Sequence, residues 1–316
     1  MSNVFHIVNQ QKAMSPINVH KLKTLTGHKD SLYTLERLDG QRFLSAGGDG
    51  MVVLWDVQNP DVGQMIVKVP ASVYALEFNP EKKLLIVGQN FNGIHLIDVE
   101  SKKELKSLKL TSEAIFDIQS NSETIFVGTA GGELIQVDWD FNIVNRVKYS
   151  DKSVRSIAKS PSGESLAVGY SDERIRLIDA HDLTVSHEFI AHEKSVFSVQ
   201  FHPEMPLLMS AGRDARIKFW DIDRKYELVE EIVAHMYTIN HLAFSPDSQH
   251  FVSCSMDKSI KVWDAKTFKL LKVIDKARHA GHGTSVNKLL WLNHKETLVS
   301  CSDDRTISLW DINFAT

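Results

Sequence analysis

The 316-residue chain reads as an all-β protein built from repeated units that share one continuous core. Seven times a strand-like run ends in an apolar residue followed by Asp, at Trp55-Asp56, Ile97-Asp98, Val137-Asp138, Ile178-Asp179, Trp220-Asp221, Trp263-Asp264 and Trp310-Asp311. The intervals are 42, 40, 41, 42, 43 and 47 residues, a period at which a unit is too small to bury its own apolar face and must share a core with its neighbours. Turn signals fall where strands have to reverse, as in Asn79-Pro80-Glu81, Ser160-Pro161-Ser162-Gly163, His202-Pro203 and Ser245-Pro246-Asp247.

Taken in order, the units differ in completeness. Unit one carries Gly27-His28, then Ser45, Asp49 and Trp55. Unit two has Phe91 and unit three Gly131 where that Asp would fall, yet the β-branched and apolar runs at 84–87, 94–97 and 134–137 keep their strands. Unit four keeps Asp172 and a strand at 175–178, but has Ser150 in place of the His and Val168 in place of the Ser. Units five, six and seven return to the full set: His192, Ser210, Asp214, Trp220; His235, Ser253, Asp257, Trp263; and His282, Ser300, Asp304, Trp310. In the four full units Ser precedes Asp by four residues, Trp follows it by six and His precedes it by 21 or 22.

On these residues the chain, from about position 18 to its C-terminus, resembles the WD40-repeat family. The resemblance implies a seven-bladed β-propeller, four antiparallel strands to a blade, around a central channel. It also implies that His, Ser, Asp and Trp of a blade form a buried hydrogen-bonded relay. The chemistry suits that role, because imidazole and hydroxyl both donate and accept, carboxylate only accepts and indole only donates. A Ser, His and Asp set also invites comparison with a hydrolase triad, but four copies at fixed offsets argue for a structural staple, since an enzyme needs one triad with a free nucleophile. Units two to four should be stapled less rigidly, and Asp172 should matter less than Asp257. The segment 19–25, alternating apolar and polar ahead of Gly27-His28, is expected to supply the fourth strand of the last blade and close the ring. The expected organisation is a segment 1–17 without an assigned role, then one propeller over 18–316.

Composition adds limits. With 43% hydrophobic residues the chain has material for a large core, and it shows no low-complexity tract or block of like charge. A formal charge of −4 argues against nucleic acid as the main ligand, because phosphate neutralisation needs a basic surface. The N-terminus lacks a signal-peptide pattern, and no run approaches the about 18 apolar residues of a membrane span. Cys254 and Cys301 occupy the same strand position in two different units, too far apart to bond, which points to a reducing, cytoplasmic setting.

In members of the family that capture peptides, contacts gather on the face carrying the loops between blades. Five residues after the relay His, the corresponding positions here are Tyr33, Tyr74, Phe116, Arg155, Phe197, Asn240 and Asn287. Four aromatics and one Arg among seven far exceed the 9% aromatic content of the chain, and such side chains are what interface hot spots are made of. The residues before the relay Asp include Arg213, Met256 and Asp303, with Asn90 and Ser171 at the weaker equivalents. His279-Ala280-Gly281-His282 brings no third ligand and reads as a polar loop rather than a metal site; the glycine-rich stretches 47–50 and 128–132 have no following helix to hold a phosphate. No cofactor is expected. The sequence thus predicts a non-enzymatic scaffold for a protein or peptide partner. The alternative is a propeller enzyme or small-ligand binder at the channel mouth, which would need a cluster of uncommitted acid, base or nucleophile residues that no recurring spacing reveals.

Overall fold

The computed structural model describes residues 17–314, so nearly all of the segment without an assigned role lies outside the described residues. The described chain forms seven four-stranded antiparallel sheets, and the only helical turns in it are Lys276–His279 and His294–Glu296. Blades one to six follow one another at 32–68, 73–109, 115–148, 154–190, 196–233 and 239–274. The seventh consists of Val286–Trp291, Leu298–Ser302, Ile307–Asn313 and, on its outer edge, Asn18–Leu25. That last pairing runs from Asn18 opposite Asn313 to Leu25 opposite Ile307, so the ring closes as the sequence predicts. The first strand of each blade adjoins the first strands of its two neighbours, and these seven strands surround the channel.

Burial follows from this stacking. The second strand of a blade is covered by a blade on each face and is buried almost throughout, as in Leu84–Gln89 and Leu207–Gly212. The outermost strands, such as Lys103–Lys109, are largely solvated. Each apolar cluster bridges two blades: Leu44, Val52 and Ile66 of blade one pack with Val73, Leu85 and Ile97 of blade two, and Leu25, Ile307 and Leu309 pack with Leu32 and Trp55 across the closure. Close approach selects small residues at one position of the second strand. A Cβ on Gly128 would meet Val154 of the next blade at 2.5 Å, and one on Gly169 would meet Val196 at 2.8 Å. Cys254 and Cys301 sit at that position in blades six and seven, both buried and unbonded to each other.

In the four full units the relay residues are joined. Trp Nε1–H donates to Ser Oγ at 2.8, 2.8, 2.9 and 2.9 Å for Trp55, Trp220, Trp263 and Trp310. Ser45, Ser210, Ser253 and Ser300 lie 2.8, 2.8, 2.7 and 2.9 Å from His28, His192, His235 and His282 Nε2. The opposite ring nitrogen, Nδ1, faces Asp49, Asp214, Asp257 and Asp304 at 3.0, 2.9, 2.8 and 3.0 Å. Because a carboxylate can only accept, Nδ1 carries the proton and Nε2 accepts from the serine. The wiring is that of a hydrolase triad, but the serines have no exposure and their oxygens are already taken by indole, so they cannot serve as nucleophiles.

Blade four departs from its expected looseness. Asp172, lacking a His, accepts from both terminal nitrogens of Arg176 at 3.2 and 2.8 Å, and the Arg176 guanidinium lies 4.4 Å from the ring centroid of buried Tyr170. A bidentate ion pair on an aromatic ring thus replaces the relay. In blade two, His95 Nε2 bonds Gln89 Oε1 at 2.9 Å. In blade three, Gln136 donates to the Ala180 carbonyl of blade four at 3.1 Å.

Candidate functional site

The first two strands of every blade lose register at one residue, and in all seven blades the extra residue is the one counted five after the relay His. The shifts fall between Leu32 and Thr34, Val73 and Ala75, Ile115 and Asp117, Val154 and Ser156, Val196 and Ser198, Ile239 and His241, and Val286 and Lys288. A bulge leaves its extra residue unpaired and re-aims the side chain. Here it turns Tyr33, Tyr74, Phe116, Arg155, Phe197, Asn240 and Asn287 together onto one cavity of about 410 Å³, each half-buried.

Within that cavity the aromatics form an arc. Ring centroids are 4.5 Å apart for Tyr33 and Tyr74 and 5.6 Å for Tyr74 and Phe116. The Arg155 guanidinium then lies 4.1 Å from the Phe116 centroid and 4.8 Å from that of Phe197, with its Nε–H donated to Ser171 Oγ at 3.0 Å. The polar arc opposite is tied to itself: Asn240 donates to the Val286 carbonyl at 2.8 Å, and Asn287 to Asp303 Oδ1 and the Leu32 carbonyl, both at 2.7 Å. Of the residues before the relay Asp, Arg213 is exposed, Met256 is 52% exposed and Asp303 is half-buried. Asn90 is instead buried and accepts from the Ile115 amide.

The structure also gathers charge that the sequence does not reveal. Asp117, His241 and Lys288 line the same cavity, and Glu36 and Glu77 lie close enough to couple with them. Burial pushes Glu77 up to about 7, against the pull of Lys159 and the Ser120 donors. Burial also raises Glu36, helped by the Glu77 charge, and raises Asp117 against Lys288. His241 is pushed well down by burial and then by Lys288.

Most of these groups have a structural task. An innermost strand has no partner on its channel side, so its amides need acceptors. Asp117 Oδ2 takes the Ile157 amide of the next blade at 2.7 Å, Ser156 that of Val199 at 3.2 Å, Ser198 that of Leu242 at 3.2 Å and His241 Nδ1 that of Leu289 at 3.4 Å. Glu77 likewise takes the Ser120 amide at 2.8 Å, and Glu36 that of Phe78 at 3.4 Å. Six blades thus each hand a side-chain acceptor to the next. Blade seven places Lys288, which can only donate, at the equivalent position.

Blades, relays and closure define a propeller of tandem β repeats. The WD domain, G-beta repeat model matches residues 20–56, 226–264 and 273–311, and the anaphase-promoting complex subunit 4 WD40 domain model matches 120–204. The chain belongs to the WD40-repeat family. Among curated relatives, a striatin homolog of Dictyostelium discoideum is 23% identical over 71% of this chain and 32% of its own length. Pre-mRNA-processing factor 17 of Homo sapiens is 26% identical over 63% of this chain and 37% of its own. The chain thus spans about a third of the length of these relatives. Of solved structures, the WD40 β-propeller domain of Doa1 superposes with a TM-score of 0.82 at 17% identity, covering 93% of this chain and 96% of that one. Among the described residues no helix is long and apolar enough to cross a membrane.

Proposed function

We propose that the chain is a non-catalytic scaffold that captures a protein or peptide in a reducing, intracellular setting, on the mouth lined by the seven bulged residues, with Tyr33, Tyr74, Phe116, Arg155 and Phe197 as its principal contacts. The observation that carries this reading is the convergence of all seven bulges on one cavity. Two further points support it. The aromatic arc is half-buried rather than packed away, as a desolvating anchor should be. Glu77, Asp117 and His241 beneath it, groups that would favour the alternative of a small-ligand or catalytic site, are spent on amides of neighbouring blades.

The test is affinity capture from the native source, with quantitative mass spectrometry on wild type and on a Tyr33→Ala/Phe197→Ala double variant, alongside thermal melts. Truncating a hot-spot residue costs about 2 kcal/mol or more, so partner recovery should fall at least about 100-fold. Unchanged partners together with a large fall in melting temperature would show that these rings serve packing and that the partner binds elsewhere.

A further inference from the structure

Arg155 is a half-buried cation with no counter-charge. Among the described residues it makes no ion pair; its Nε–H goes to Ser171, and its two terminal nitrogens have no acceptor. Burial lowers its pKa, the neighbouring groups that act on its charge are the Tyr74 hydroxyl and a second cation, Arg213, and a guanidinium stays charged throughout. Arg213 is also without an ion pair among the described residues. The Arg155 guanidinium lies over Phe116 and Phe197 with both terminal nitrogens unpartnered among the described residues, and such a fork can take a carboxylate or phosphate through two parallel hydrogen bonds.

A second feature lies two blades on, in blade six. Met236 and Tyr237, just after the relay His, are 80% and 61% exposed, and Met256, just before the relay Asp, is 52% exposed. The two loops carrying them are stitched together, with the Met256 amide on the Thr238 carbonyl at 3.0 Å and Ser255 Oγ on the Tyr237 carbonyl at 3.1 Å. Two bonded loops thus carry three large exposed apolar side chains on the blade that supplies Asn240 to the cavity. Across the ring, Asp30 and Asp303 stand near Tyr33, while Lys288 of blade seven also lines the cavity.

We infer that the mouth reads an oxyanion on an extended peptide: a glutamate, aspartate or phosphorylated side chain closes on the free edge of Arg155, assisted by Arg213, while a neighbouring large apolar residue rests on Met236, Tyr237 and Met256. The proposal rests on the binding face put forward above and names the chemistry that face selects. No bond is made or broken; the ligand supplies the counter-charge that the protein lacks.

The test uses the full chain and fluorescence anisotropy against degenerate peptide pools that share a fixed Leu beside a fixed centre of Glu, phosphoserine, Gln or Lys. Either the Glu or the phosphoserine pool should bind at least about tenfold tighter than the Gln and Lys pools, and the ratio of those two identifies the oxyanion. Arg155→Met should abolish the preference. Arg155→Lys, which keeps the charge and is the safeguard should the Met variant misfold, should reduce it severalfold because the fork is lost. Met236→Ser/Met256→Ser should weaken all four pools alike. A preference for Lys, a preference that survives Arg155→Met, or no binding by any pool overturns the proposal. If Tyr33→Ala/Phe197→Ala loses the native partner while Arg155→Met keeps it, the binding face stands and the oxyanion reading falls; if neither variant loses it, both fall.

Discussion

At the scale of single residues, the fourth blade shows how one staple can stand in for another. Read from its sequence, a unit without His and Ser makes Asp172 expendable, but the structure sets Arg176, 4% exposed, against it. Removing Asp172 breaks the bidentate pair and leaves the buried Arg176 guanidinium only Glu188, which pairs with its Nε at 2.5 Å, a loss of about 1 to 3 kcal/mol. Asp257→Ala frees the His235 Nδ1–H, the Met236 amide and Ser259 Oγ, at about 1 to 3 kcal/mol or more. Denaturant melts should therefore show Asp172→Ala losing stability comparable to Asp257→Ala, and a near-neutral Asp172→Ala would refute the substitute staple. The relays were legible because the same spacing recurs in four units. Arg176 was not, because Arg stands at that strand position in blade four alone. Met236 and Tyr237 gave no sign either, since a single apolar residue in a loop is ordinary until folding sets it beside another.

Among elements, the outer strand Asn18–Leu25 and the seven bulges carry most of the consequence. The strand was legible from its alternation just ahead of Gly27-His28. The bulges were legible only as positions, counted from the relay His; that each is a register shift, and hence why its side chain turns to the mouth, emerges only from pairing. Deleting residues 1–25 strips Trp310 and its neighbours of their outer partner and should lower the melting temperature by at least about 5 °C, which for a chain of this size is a loss of a few kcal/mol. Leu22→Ser, on the same strand but 54% exposed, is the control and should change it by little. Equal melts for the deletion and the full chain would mean that the ring does not depend on this strand.

For the whole molecule, two sets of titrating groups oppose each other. Burial alone would raise the carboxyls of Asp214, Asp257 and Asp304, but the His ring N–H and nearby donors hold them below the usual range. Groups depressed in the folded state give stability that is present above pH about 4 and lost as pH falls further. Burial pushes His28 and His235 down, so their contribution is likewise lost on acidification, from about pH 6.5. The channel acids have the opposite sign: Glu77, at about 7 when folded, holds its proton where the unfolded chain has released it, and so costs stability as pH rises from about 4.3 to 7. The melting temperature should change little between pH 7 and 5 and fall steeply below 4. Glu77→Gln, whose oxygen can still accept from Ser120, should gain on wild type progressively from pH 5 to 7; a constant difference would mean that Glu77 is ionised throughout. The channel charges were invisible in the sequence because Glu36, Glu77, Asp117, His241 and Lys288 are of four residue types and sit at two different offsets.

Closure also has a cost in time. Asn18 and Asn313 pair across 295 positions of chain, so at synthesis rates of about 5 to 20 residues per second the first strand is made roughly 15 to 60 s before its partner exists. Loop-closure entropy rises only slowly with such a span, so the difficulty is the wait, during which a bare strand edge invites wrong partners. The strand, Asn18-Val19-His20-Lys21-Leu22-Lys23-Thr24-Leu25, is no sticky ribbon: Lys21 and Lys23 are the kind of residues that discourage edge-to-edge pairing. Once docked, the same lysines are reused, Lys21 lying 5.5 Å from the Trp310 ring and Lys23 pairing with Asp61. One short segment is thus fitted to two lives, a guarded one on the nascent chain and a bonded one in the finished ring.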